Sequence, residues 1–193
     1  MDLVLPLPTA PETRRVSNAV LGVAIFIAAE AMFFAALISA HTIAKATAFG
    51  GVWPPPGQPR LPVARTAINT AALLSSGVLL WTGNRWMPRS SDAAKRCIMW
   101  AILLGAAFVS LQGVEWARLL REGLTMTSSS HGGFFYLIIG AHALHVVAGL
   151  VALTWAYWGT LRRTVTQEAF AATRFFWYFV VLLWPVLYWR VYL

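Results

Sequence analysis

Apolar residues along this chain fall into long runs, unlike the single stripe of a soluble helix or the strict alternation of a half-buried strand. Five runs, near 18–44, 66–86, 97–120, 133–158 and 172–193, are each long enough to cross a bilayer as a helix, which takes about 20 residues. A transmembrane barrel would show shorter segments of alternating polarity; these runs are apolar on all sides and predict helices. The expected fold is an all-α integral membrane protein, a five-helix bundle in one membrane domain over 18–193. Residues 1–17 predict a short cytoplasmic lead-in, because three prolines and Arg14-Arg15 stand there without the apolar core of a signal peptide.

Turn-forming residues punctuate the runs. Gly50-Gly51 and the Pro-rich stretch from Trp53 to Arg60 separate the first two, and Met87-Pro88-Arg89-Ser90-Ser91-Asp92 the next two. Segments 125–131 and 162–168 supply the other breaks. The Pro-rich stretch is expected to cap the first helix pair in an extended, solvated form.

Composition agrees with this pattern. Of 193 residues, 59% are hydrophobic and 11% charged, too little polar side chain to cover a water-exposed domain. The net charge of +8 could suggest nucleic acid, but the 15 basic residues are scattered among apolar runs and form no patch, so nucleic acid is excluded as a partner. Their distribution instead speaks to direction. Nine Lys and Arg fall on the side of the N-terminus (Arg14, Arg15, Arg85, Arg89, Lys95, Arg96, Arg162, Arg163, Arg174) and six on the other (Lys45, Arg60, Arg65, Arg118, Arg121, Arg190). The excess predicts a cytoplasmic N-terminus and an external C-terminus. Trp81, Trp86, Trp100, Trp116, Trp155, Trp158, Trp177 and Trp189 lie near run ends and read as an interfacial aromatic belt. A single cysteine, Cys97, rules out an internal disulfide and any multi-thiolate metal site.

Polar groups inside the runs carry the chemistry. Glu30 lies in the first, Asn69 in the second, Gln112 and Glu115 in the third, and His142 and His145 in the fourth. Groups at such depth face other helices or a wet cavity. Glu30 is about 18 Å into its helix, and His142 and His145 are about 14 and 18 Å below the opposite boundary, which sets Glu30 nearly level with His142. Either imidazole could reach the carboxylate. Three readings are open: a buried Glu–His contact that locks two helices, which is preferred; proton handling or a lipid-headgroup contact; and metal or haem ligation, for which two imidazoles supply too few ligands. Glu115 and Arg118, three apart, are expected to pair at a helix end. Small-residue pairs four apart, Ala31/Ala35, Ala36/Ala40 and Ala106/Ser110, are expected at close helix contacts.

With their neighbours, these residues resemble subunit III of the haem–copper cytochrome c oxidases, a family that includes the accessory subunit of some nitric oxide reductases. The resemblance lies in Ala28-Ala29-Glu30-Ala31-Met32-Phe33-Phe34, in Asn69-Thr70 before Leu73-Leu74-Ser75-Ser76-Gly77, and in Leu111-Gln112-Gly113-Val114-Glu115-Trp116. It is most specific at His131-Gly132-Gly133-Phe134-Phe135-Tyr136 and at Gly140-Ala141-His142-Ala143-Leu144-His145-Val146, which is similar to the family's G-x-H-x-x-H-V. Two departures stand out. The two extra helices that often open the family are absent, so the chain resembles its short five-helix form. The family's closing W-H-F-V-D reads Trp177-Tyr178-Phe179-Val180-Val181 here.

The resemblance implies a non-catalytic subunit of a terminal oxidase in a bacterial cytoplasmic membrane, without cofactors of its own. Haem and copper are expected in partner subunits, a haem–copper catalytic subunit I and a copper-binding subunit II. Supporting assembly, binding phospholipid and sustaining proton uptake are the implied roles, with Glu30, Asn69, Gln112, Glu115, Arg118, His142 and His145 as lipid-binding or structural polar residues. The alternatives are an accessory subunit of a nitric oxide reductase or other respiratory supercomplex, and a small carrier or proton channel.

Overall fold

The computed structural model describes residues 17–48, 51–87 and 91–193. It contains five helices, α1 (Asn18–Ala46), α2 (Val63–Trp86), α3 (Ser91–Arg121), α4 (Ser130–Arg162) and α5 (Gln167–Leu187), followed by a π-helical segment, Tyr188–Tyr192. All five are long and apolar enough to cross a membrane. The lead-in at 1–16, Gly50 of the first break and Pro88-Arg89-Ser90 of the second lie outside the described residues.

Most helices run a few residues beyond the apolar runs, because polar capping residues complete their ends. Ser17 caps α1 by accepting from the Val20 amide, Ser129 caps α4 from Gly132, and Thr166 caps α5 from Ala169. α3 closes on Gly123 at φ +90°, a left-handed turn that glycine adopts at little cost, with the Leu124 amide returning to the Leu119 carbonyl. Pro185 removes a backbone donor within α5, and three residues later the helix widens into the π-helical segment.

α5 is the hub, touching α1, α2 and α4, while α2 packs extensively on α3 and α3 on α4. Buried positions on α2 (Thr66, Asn69, Thr70, Leu73, Ser76, Gly77, Leu80, Gly83) and α3 (Ala94, Ile98, Ala101, Gly105, Phe108, Gln112) recur every three or four residues, one stripe per helix. α1 differs: only Phe34 and His41 are buried, and its remaining surface is open or half-open.

Close helix contacts arise at glycines rather than at the expected small-residue pairs. Ala31, Ala35, Ala36, Ala40, Ala106 and Ser110 are all exposed. The fully buried Trp177 indole sits in a notch between Gly105 and Gly149, where an added Cβ would lie 2.8 and 2.9 Å from the ring. Trp177 therefore belongs to the core, not to the interfacial belt in which its position near a run end placed it. The Pro-rich break does cover the bundle, but through Trp53 it leans on His41 of α1 and His131 of α4 rather than on the α1–α2 pair.

Candidate functional site

α1 and α4 are brought together by α5, and their contact holds the one ionisable pair at mid-helix depth among the described residues. Glu30 Oε2 lies 3.0 Å from His145 Nε2, with 19% and 14% of the two side chains accessible. The approach is off the hydrogen-bond direction, so the two groups touch without a hydrogen bond between them. The other ring nitrogen, Nδ1, is 2.7 Å from the Ala141 carbonyl, which only accepts; Nδ1 therefore carries a hydrogen. Phe26, Phe34 and Phe176 surround the imidazole at ring-centroid distances of 6.4, 5.5 and 6.2 Å. In that apolar casing neither partner is cheaply left alone.

His142, which depth alone set level with Glu30, points elsewhere. Residues three apart on a helix differ by about 60° in direction, enough to send one ring to α1 and the other into the core. His142 is fully buried, stacked on Trp184 at 5.0 Å and edge-on to Phe34 and Phe108, with neither nitrogen hydrogen-bonded.

Asn69 and Gln112 meet. Asn69 Nδ2 donates to the Phe108 carbonyl at 3.2 Å and to Gln112 Oε1 at 3.3 Å, while Gln112 Nε2 donates to the Tyr192 hydroxyl at 3.1 Å. Two tryptophans of α5 extend this seam, Trp184 donating to Thr70 Oγ1 at 2.8 Å and Trp177 to Ser76 Oγ at 3.0 Å. Sequence reasoning missed Thr70, Ser76, Trp184 and Tyr192. The available signal was the three- and four-residue recurrence of small polar side chains along α2.

The Glu115–Arg118 pairing is overturned. Arg118 Nε bonds Glu122 at 2.7 Å, one turn on, and Glu115 faces Arg65 of α2 at 3.6 Å. Glu115 is turned toward α2, with one carboxylate oxygen buried and unpartnered, while Arg118 stays on the outer face.

Two apolar furrows flank these sites. One of about 380 Å³ between α3 and α4 is lined by Phe108, Gln112, Trp116 and Leu144; another of about 630 Å³ between α2 and α5 by Gly77, Trp81, Tyr178 and Val181. Among the described residues no three His, Cys, Asp or Glu side chains converge as a metal-holding group.

Apolar spans, a glutamate–histidine contact and a hydrogen-bonded seam between helices define a multi-pass helical membrane protein. A family model described as cytochrome c oxidase subunit III matches residues 11–193. A Nocardia farcinica protein named as a probable cytochrome c oxidase subunit 3 is 33% identical over 176 residues, covering 89% of this chain and 85% of that protein. The human and Pyricularia grisea proteins named cytochrome c oxidase subunit 3 are 31% and 33% identical over 89% of this chain, which spans 67% and 66% of their lengths. The chain belongs to the cytochrome c oxidase subunit III family.

Proposed function

We propose that this chain serves as the non-catalytic subunit III of a haem–copper terminal oxidase in a bacterial cytoplasmic membrane, N-terminus inside and C-terminus outside. The observation that carries the reading is family membership across nearly the whole chain, with the family's glutamate and histidine joined at mid-helix depth as Glu30 and His145. In this reading the haem–copper subunit I and the copper-binding subunit II are partners, and electron transfer and oxygen chemistry reside in them. This chain contributes assembly contacts, holds phospholipid and sustains proton uptake by the catalytic subunit.

Three features support those roles. The mostly uncovered α1 offers a broad apolar surface for lipid or a partner helix. The furrows between α3 and α4 and between α2 and α5 have the apolar lining that acyl chains require. The Glu30–His145 contact sets two titratable groups 3.0 Å apart inside an aromatic casing, as a site that buffers proton movement requires. Extraction in mild detergent tests the reading: the chain should co-purify with a haem-containing large subunit. Recovery of the chain alone, beside an oxidase complete without it, would sink the proposal.

An accessory role in a nitric oxide reductase or other respiratory supercomplex is favoured by one observation. Tyr178 and Val181, which stand where the family has His and Asp, line the α2–α5 furrow and make that surface apolar. A co-purifying haem subunit that reduces nitric oxide instead of oxygen would select this alternative.

A further inference from the structure

At the end of the bundle where α1 finishes and α4 begins lies a cavity of about 250 Å³ that the oxidase reading does not use. Lys45, Trp53, Arg60, His131 and Tyr192 are among the residues that line it. It draws on four separate segments: the last turn of α1, the Pro-rich break, the first turn of α4 and the π-helical segment. Lys45 and Arg60 are both exposed, and among the described residues no carboxylate, that of the terminal Leu193 included, lies within 4 Å of either charge. Two cations not engaged in an ion pair thus border one cavity, whose lining also includes the terminal residue Leu193.

His131 supplies the second observation. It is only 3% exposed, yet neither ring nitrogen has a hydrogen-bond partner. Trp53 meets its ring edge-on at 5.3 Å and 89°, holding it in place. A buried imidazole always carries at least one N–H, and leaving that donor unsatisfied is costly, so such groups usually find a partner. The first turn of α4 adds the positive end of a helix dipole at the same point. Lys45 stands in the last turn of a membrane span, beside the amphipathic ring of Trp53, a depth at which lipid headgroups sit.

We propose that Lys45, Arg60 and His131 bind a phosphate oxyanion in this cavity. The two cations supply charge, and one imidazole N–H donates to a phosphate oxygen. Two sources offer that chemistry, the headgroup of an anionic phospholipid and free phosphate. The lipid source rests on the phospholipid-holding part of the reading above; the oxyanion site itself does not.

The full chain, purified from membranes in mild detergent with whatever complex accompanies it, is titrated with phosphatidylglycerol, with diacylglycerol of the same acyl chains and with inorganic phosphate. Native mass spectrometry reads lipid retention and calorimetry reads phosphate. Phosphatidylglycerol should be retained in preference to diacylglycerol, or inorganic phosphate should bind. Joint Lys45→Gln and Arg60→Gln substitution should raise the Kd about tenfold or more, while Lys45→Arg preserves it. His131→Phe, which keeps the packing against Trp53, should weaken binding less than the double variant. Retention of lipid that inorganic phosphate does not displace assigns the headgroup; phosphate binding without lipid preference assigns the free ion, and both support the oxyanion site. Equal affinity in the double variant, or equal retention of diacylglycerol together with no binding of inorganic phosphate, overturns it. Co-purification of a haem-containing subunit is scored in the same preparation, so the oxidase reading and the oxyanion site can fail independently.

Discussion

Glu30 and His145 each need the other more than either contributes alone. A carboxyl group or an imidazole stranded among Phe26, Phe34 and Phe176 loses its water without replacement, at about 1–3 kcal/mol for an unsatisfied buried group. Glu30→Gln, which keeps a polar partner for Nε2, should leave assembly close to normal. Glu30→Leu should lower the fraction of chain retained in the purified complex and depress its melting temperature. Equal retention of the two variants would deny the contact a structural role. Its partner could not be chosen from spacing, because His142 and His145 share a helix and differ in direction by about 60°. Arg65 and Glu115 illustrate the opposite regime. Their 3.6 Å pair, with Arg65 61% exposed, should contribute no more than about 1 kcal/mol, so Arg65→Gln should shift a melting curve only slightly.

At the scale of elements, α2 and α5 are joined by aromatic side chains reaching across to hydroxyls, and α5 is admitted by missing side chains. Trp177 fits because Gly105 and Gly149 present no Cβ. Gly105→Ala or Gly149→Ala forces the indole out of its notch and should destabilise the bundle by about 1–3 kcal/mol. Adding Trp177→Phe should recover part of that loss, giving non-additive melting temperatures in a double-mutant cycle. Additive losses would mean that the notch and the indole are independent. Five helices were legible from apolar run length, since a spanning chain satisfies its backbone only as helices or a closed barrel and the runs do not alternate as barrel strands would. Their ends were legible only within a few residues, because Ser17, Ser129 and Thr166 cap from beyond the apolar runs. The contact stripe on α1 was misread: small pairs such as Ala31/Ala35 suit close packing, but α1 meets α4 and α5 through Phe34 and His145.

Across the whole molecule, the excess of Lys and Arg on one side supplies a direction that the bundle geometry leaves open. With Cys97→Ser as background, Thr127→Cys in the α3–α4 connection should react with a membrane-impermeant thiol reagent from outside intact cells. Thr164→Cys in the α4–α5 connection should react only after permeabilisation, and the reverse pattern would invert the topology. What the sequence determined by itself was whatever depends on adding up local quantities: membrane residence, five spans, their approximate limits, and the polar residues too deep to be incidental. Its ordered motifs also carried the family. Partnerships were decided by tertiary structure alone, because they depend on helix rotation and on which helices are neighbours. That is why His145 rather than His142 meets Glu30, why Glu115 faces Arg65 of α2, and why Trp177 leaves the interface for the core. The cluster of Lys45, Arg60 and His131 belongs to the same class, since three residues from separate segments share a cavity only once the bundle has closed.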